Sequence, residues 1–343
     1  FIILVVSLAA LIFGSSKLVA SASKIAKHFG ISEFIIGITL VAVGTSIPEL
    51  ASSISAALKQ NSDFILGNIV GSNIANIGLI LGITAVFMKM RIQKKLFYRD
   101  AYFLLFISIA FFFLVADSEI SRFDAAIFLI TFVIFTLYSF NVKLRYESFF
   151  NSKRFATHFF NLKTLKSVHE LERKKRKKIT KAEREAHEAF KFEVLKSLVL
   201  FVFSLLIVIY AAGFLVSSVE NISRFYNLPE ALLSAFLVAV GTSFPELSVN
   251  IAAIFKKQPT MAFGNILGSN IANILLILGI SGLIHPLSVS KLFSAWMIPI
   301  MVFFTIILTA ILKRDYILER KGGIALLALY ALFIILMIFI LVL

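Results

Sequence analysis

Apolar windows of about 20 residues, the length a helix needs to cross roughly 30 Å of hydrocarbon, recur from one end of this 343-residue chain to the other. They predict ten membrane helices, over about 2–27, 31–58, 63–88, 98–116, 122–141, 194–220, 228–255, 261–284, 291–312 and 323–343. Polar positions are not spread evenly among them. Spans two, three, seven and eight carry Ser, Thr, Asn or Glu in their interiors, and spans two and seven also carry a proline. Spans four, five, nine and ten are nearly featureless, as in Tyr102–Leu114 and Ile127–Phe140, and read as lipid-exposed packing helices.

The pattern repeats. Adding 197 to the residue number maps Leu18–Ser21 onto Leu215–Ser218 and Ala42–Ser46 onto Ala239–Ser243 without a gap. The same shift maps Gly67–Gly82 onto Gly264–Gly279, where only Val70/Leu267 and Gly78/Leu275 differ. Because the first helix takes part in the match, it reads as a span and not as a removable leader. The chain is therefore a duplicated five-helix unit: residues 1–141, a linking segment over 142–196, and residues 197–343. An odd number of helices forces two copies in series into opposite orientations. The expected fold is all-α, with ten transmembrane helices as two inverted-topology repeats and a site where the copies meet at mid-membrane.

Composition agrees with that reading and narrows the chemistry. The chain is 59% hydrophobic and 15% charged, against about a quarter charged in soluble domains. With no cysteine, disulfides and thiolate-bound metals are excluded. Three of the five histidines, His158, His169 and His187, fall in one polar stretch, which argues against a His-rich metal site in the spans. The net charge of +15 is concentrated in Val142–Lys196, with sixteen Lys or Arg against seven Glu. In a membrane chain this marks a cytoplasmic loop, in reach of anionic lipid, and not a nucleic-acid site. If both termini lie outside, the inner loops carry Lys24, Lys27, Lys89, Arg91, Lys94, Lys95, Arg99, the long loop, Lys256, Lys257, Lys313, Arg314, Arg320 and Lys321. The outer ones carry only Lys59, Arg122, Arg224 and Lys291. That bias fits a multi-pass protein of the cell membrane.

Glu49 and Glu246 fall in the middle of spans two and seven, where an ionised carboxylate costs a few kcal/mol or more. No Lys or Arg lies in those spans or in spans three and eight, so the balancing charge is a proton, a bound cation, or each in turn. Thr45 and Ser46 lie four and three residues before Glu49, on adjoining strips of one helix, and Thr242 and Ser243 repeat this before Glu246. Pro48 and Pro245 each lack an N–H and crowd the carbonyl four residues back, at Gly44 and Gly241. Asn68, Ser72 and Asn76 form a stripe on span three, and Asn265, Ser269 and Asn273 match it on span eight. Carboxylate, hydroxyl, amide and carbonyl oxygens together suit Ca²⁺ or Na⁺ and not a soft metal. Gly67/Gly71 and Gly264/Gly268 have the spacing of close helix packing. Glu33 and Glu230 also match under the repeat but read as helix-start residues.

Gly44–Glu49 with Gly67–Asn73, and Gly241–Glu246 with Gly264–Asn270, resemble the paired alpha-repeats of the cation/Ca²⁺ exchanger superfamily, and within it the prokaryotic-type sodium/calcium exchangers. The motif regions span 42–82 and 239–279. The resemblance implies that Thr45, Glu49, Thr242 and Glu246 ligate Ca²⁺. It assigns Na⁺ to the carbonyls of Ala42 and Ala239 and to Ser46, Ser72, Asn76, Ser243, Ser269 and Asn273, with Asn68 and Asn265 as further candidates. Potassium-dependent members typically carry Asp where this chain has Asn273, or at both that position and Asn76, so K⁺ co-transport is not expected. Helices one and six, rich in small residues (Gly14, Ser15, Ser16; Ala211, Ala212, Gly213), would slide to switch access.

The expected activity is alternating-access antiport of Na⁺ against Ca²⁺. A proton-driven Ca²⁺ exchanger using the same glutamates is the alternative, and an ion channel a more distant one. No phosphate-binding loop is present, so an ion gradient and not a nucleotide would supply the energy. No Ser/His, Asp/Asp or zinc-type His/Glu arrangement lies in the spans, so the chain is not read as an enzyme and needs no cofactor beyond its transported ions.

Overall fold

A computed structural model describes residues 2–29, 32–141, 181–225 and 243–342. The helices are α1 (Ile2–Phe29), a bent pair α2 (Glu33–Thr45) and α3 (Ile47–Leu58), α4 (Ser62–Phe87), α5 (Lys94–Asp117) and α6 (Arg122–Asn141). They continue with α7 (Lys181–Phe225), α8 (Phe244–Phe255), α9 (Pro259–Ile284), α10 (Phe293–Asp315) and α11 (Arg320–Val342). Among the described residues eight helices are long and apolar enough to cross a membrane, or nine with α2 and α3 as one span. The span expected over 228–255 is described only from Ser243 onward, as α8, and Glu230 lies outside the described residues. The segment expected as a basic loop to residue 196 ends in helix, because α7 begins at Lys181; residues 142–180 lie outside the described set.

Four two-residue strands tie the repeats together. β1 (Met90–Arg91) pairs antiparallel with β4 (Ile317–Leu318), and β2 (Glu119–Ile120) with β3 (Leu287–Ser288). Each clasp joins a loop of one repeat to a loop of the other. Ser62 at the start of α4 accepts a hydrogen bond from the N–H of Ser288 in β3 (3.2 Å), while β1 follows the far end of α4. The two clasps therefore sit at opposite ends of the molecule, as inverted copies require. Gln60 and Lys257, 197 residues apart, close α3 and α8 with matching left-handed φ values of 57° and 54°.

Burial follows the polarity of each helix. The membrane windows of α4 and α9 are 83% buried, while those of α6 and α11 are 22% buried. Phe106, Phe113, Ile130, Ile335 and Phe339 are exposed, as side chains facing hydrocarbon can be. The apolar core has two parts. One gathers α4–α6 and α9–α11 around residues such as Ile69, Phe111, Leu267 and Phe304. The other, with Leu18, Val19, Phe201, Val208 and Val249, joins α1 and α7 to α8.

α2 and α9 touch backbone to backbone. A Cβ on Gly264 would lie 2.6 Å from the Phe34 carbonyl oxygen, and one on Gly37 would lie 2.6 Å from that of Met261. A Cβ on Gly268 would lie 2.6 Å from that of Ala42 and overlap the Ile38 carbonyl. At Gly67 it would meet only the Phe293 ring, at an ordinary 3.7 Å.

Gly268→Ala is therefore expected to cost about 1–3 kcal/mol through overpacking, read as a lower unfolding midpoint in detergent. Gly213→Ala meets nothing within 4 Å and should change stability by no more than about 1 kcal/mol, in the favourable direction. Equal tolerance of both substitutions would contradict the close approach.

Candidate cation site

The helix that carries Glu49 is broken just before it. α2 ends at Thr45, Ser46 leaves helical geometry (φ −83°, ψ 9°), and α3 starts with Pro48 in its first turn, bent 43° from α2. Ser243 repeats this geometry (φ −85°, ψ 8°) ahead of Pro245 and Glu246 in α8. Proline suits a first helical turn, where its missing N–H leaves no bond unmade. The kink expected at Gly44 thus becomes a break at Ser46 that delivers a carboxylate on the first turn of a new half-helix. Opposite these breaks, α4 and α9 each widen into a π-helical turn, Asn76–Leu81 and Asn273–Ile277. Such turns are rare and concentrate at functional positions.

Glu49 and Glu246 are each 1% exposed. The other buried carboxylate among the described residues, Asp100, is held by a bidentate pair with Arg99 at 2.7 Å. Neither glutamate takes part in a described salt bridge, yet the two interact electrostatically. Ser46 of the first repeat donates to Glu246 Oε1 (3.2 Å), and Ser269 lies 3.4 Å from the same oxygen. Glu49 Oε2, Glu246 Oε2, Asn68 Oδ1, Asn76 Oδ1, Asn273 Oδ1 and Ser243 Oγ are buried without a hydrogen-bond partner among the described residues. Leaving one buried polar group unsatisfied costs about 1–3 kcal/mol, and more for a charge. A cluster of oxygens of this kind is the natural seat of a hard cation.

An asparagine clamp aims two of those oxygens. The amide nitrogens of Asn73 and Asn270 donate to each other's backbone carbonyls (3.4 and 3.3 Å). Their side-chain oxygens then accept from Asn273 Nδ2 (3.0 Å) and Asn76 Nδ2 (2.9 Å) respectively. With both NH₂ groups so engaged, Asn76 and Asn273 turn Oδ1 the other way. The four bonds obey the pseudo-two-fold and join α4 to α9.

The remaining expected residues fall as follows. Thr45 Oγ1 donates to the Ala42 carbonyl (3.2 Å) or to Asn265 Oδ1 (3.4 Å). The Ala42 carbonyl also accepts the Ser46 N–H (3.0 Å). Asn68 Nδ2 reaches the Glu49 carbonyl (3.2 Å) and the hydroxyls of Ser52 and Ser53 (3.2 and 3.0 Å), fixing α3 to α4. Asn265 Nδ2 instead reaches Asn250 Oδ1 (3.1 Å). Ser72 is fully buried on α4. Thr242 and Ala239 lie outside the described residues. Asn73, Asn270 and Asn250 were not among the expected site residues. Asn73 sits five residues from Asn68, off the four-residue stripe, and Asn250 has Ser53 as its repeat partner, so neither stripe nor repeat points to it.

Two inverted helical repeats, with a pair of uncompensated carboxylates among neutral oxygens at their junction, define a membrane cation transporter. The model of the family described as sodium/calcium exchanger protein matches residues 1–141 and 196–339. The chain is 36% identical to the sodium/calcium exchanger MaX1 of Methanosarcina acetivorans, over 99% of each chain. It is 30% identical to the inner membrane protein YrbG of Escherichia coli, over 83% of this chain and 79% of that one. Among solved structures, the sodium-calcium exchanger NCX_Mj soaked with zero Na⁺ and Ca²⁺ superposes with a TM-score of 0.77 at 27% identity, covering 98% of this chain and 97% of that one. The chain belongs to the sodium/calcium exchanger family.

Asn270→Ala should leave the Asn76 amide and the Asn73 carbonyl short of a partner, lowering stability by about 1–3 kcal/mol. Asn73→Ala should cost a similar amount. Because the four bonds lie in one network across α4 and α9, the double variant is expected to depart from the sum by about 0.5 kcal/mol or more in a thermal double-mutant cycle; simple additivity would show that the clamp does not act as a unit.

Proposed function

We propose that the chain exchanges Na⁺ for Ca²⁺ across the cell membrane by alternating access, without K⁺. One observation carries this reading: among the described residues, two buried glutamates have no basic partner and neutral oxygens around them have no hydrogen-bond donor. Glu49, Glu246, Thr45 and Thr242 are assigned to Ca²⁺. Ser46, Ser72, Asn76, Ser243, Ser269, Asn273 and the carbonyls of Ala42 and Ala239 are assigned to Na⁺, with Asn68 and Asn265 supporting the half-helices.

The mechanism follows from charge. An empty site would hold up to two negative charges in a low-dielectric layer, and moving it past the barrier would be costly. One Ca²⁺ cancels both charges, and so do two Na⁺ seated on the same oxygens. Each filled state can therefore switch sides while the empty state is held back, which couples the fluxes. α1 and α7 pack along each other over a core that also takes in Val41 of α2, Val249 of α8 and Met261 of α9, and they are the pair assigned to switch access. Both termini are placed outside and the basic segment 142–196 inside, on the loop-charge bias. The amides at Asn76 and Asn273 add oxygens without a third carboxylate, which argues for K⁺-independence.

The test is ⁴⁵Ca²⁺ uptake into proteoliposomes under an imposed Na⁺ gradient and, separately, under a pH gradient. Uptake is expected with Na⁺ and to be unchanged when K⁺ is omitted. Glu49→Gln and Glu246→Gln should each reduce it at least about a hundredfold, since carboxylate count sets Ca²⁺ affinity over decades. Uptake driven by the pH gradient alone would overturn the sodium assignment.

A further inference from the structure

The side-chain amide of asparagine has two ends of nearly equal size and opposite chemistry, an acceptor oxygen and a donor NH₂. Packing alone therefore does not decide which end of Asn76 or Asn273 is offered to a cation. Hydrogen-bond partners decide it. The oxygen end ligates a hard cation, whereas the NH₂ end repels it.

Two relays fix the choice, and each starts from a group that cannot change its role. A backbone carbonyl accepts a hydrogen bond and never donates one. Asn73 Nδ2 is bound to the Asn270 carbonyl (3.4 Å) and lies 3.5 Å from Met301 Sδ of α10, also an acceptor. Asn73 therefore turns its oxygen to Asn273, which answers with Nδ2 (3.0 Å). Asn273 Oδ1 is left buried and without a donor among the described residues. The second relay starts at the Asn73 carbonyl, passes through Asn270 Nδ2 (3.3 Å) and Asn270 Oδ1 to Asn76 Nδ2 (2.9 Å), and leaves Asn76 Oδ1 in the same condition. All four side chains are at most 1% exposed and depend on one another for partners. Each relay crosses the repeats: the amide on α9 is set from α4, and the amide on α4 from α9.

We infer that Asn73 and Asn270 are positioning residues for Na⁺: neither is an assigned ligand, and each holds the amide of Asn273 or Asn76 with its oxygen toward the cation. This rests on the assignment of those two amides to Na⁺ under the exchange reading. Ca²⁺ is assigned to Glu49, Glu246, Thr45 and Thr242 and needs no such orientation, because a carboxylate presents oxygen whichever way it turns and a hydroxyl has only oxygen to offer. The relays therefore bear on Na⁺ affinity more than on Ca²⁺ affinity.

A carboxylate at the oriented position separates this role from a merely structural one. The full chain in nanodiscs is loaded with ⁴⁵Ca²⁺, held at the Kd of each variant, and titrated with Na⁺. Asn73→Leu keeps the side chain's approximate size and removes its hydrogen bonds, so the Asn273 amide loses the partner that fixes it. The Na⁺ concentration for half-displacement should rise roughly three- to tenfold, about the worth of one hydrogen bond, while the Kd for ⁴⁵Ca²⁺ moves less. In the Asn273→Asp background either end of the side chain is an oxygen. Adding Asn73→Leu there should leave half-displacement where Asn273→Asp alone puts it. A structural role would add the same penalty in both backgrounds. That result, or an Asn73→Leu that weakens Na⁺ and Ca²⁺ equally, would overturn the proposal. If Asn73→Leu does not fold, Asn270→Leu with and without Asn76→Asp makes the same comparison through the other relay. Failure of Na⁺ to displace ⁴⁵Ca²⁺ from the unsubstituted chain would instead refute the exchange reading, so the two failures are distinguishable.

Discussion

Two carboxylates, each 1% exposed and without a basic partner among the described residues, constrain everything around them. A lone ion in a medium of low dielectric is penalised heavily, and a second of the same sign nearby worsens it. The protein does not answer with Lys or Arg, as it does for Asp100 and Arg99. It answers with oxygens whose negative ends also face the site, which deepens the need for a cation. The arrangement makes sense only if the missing charge is mobile. Binding and switching are then one electrostatic problem, because the ion that completes the site also makes it movable.

Duplication solves the geometry of that problem. A hard cation wants ligands from several directions, and one helix offers a single face. Breaking α2/α3 at Ser46, and beginning α8 just after Ser243, places a glutamate on each side of the junction. The π-helical turns beginning at Asn76 and Asn273 accompany the asparagine clamp that sets the amide oxygens. Gly264 and Gly268 let α9 approach α2 closely enough for these short side chains to share a site. The clasps β1/β4 and β2/β3 join the repeats at both ends.

Much of this was legible before any coordinates. The shift of 197, the two G-T-S-x-P-E stretches and the odd helix count led to the inverted repeats and to the glutamates, because strong constraints on composition leave strong traces. What was missed shares a physical cause. Asn73 and Asn270 bond across the pseudo-two-fold, and helical periodicity within one span does not report a partner 197 residues away. Two-residue strands are too short to show alternation, so their loops read as plain turns. The proline pointed to a kink at Gly44, whereas the break falls at Ser46, since a proline is as content in the first turn of a new helix as in a bend of an old one. Arg99 counted as a loop charge, yet it is folded into α5 beside Asp100.

The symmetry is instructive where it fails. Around Glu49 and Glu246 the repeats are nearly identical, as a cation shared by both halves would require, since a change on one side would be felt at once by the other. One turn outward, at Ser53 and Asn250, the halves no longer share a ligand, and each is free to serve the clasp it faces. An inverted duplication with perfectly equal ends would populate its two open states equally, while the direction of net exchange follows the ion gradients in either case. A single amide in place of a hydroxyl is a small change in sequence, but it lies on a hydrogen-bond chain that links Thr84 through Asn250 and Asn265 to Thr45. Divergence between the repeats thus falls outside the positions they would share at the junction and not within them.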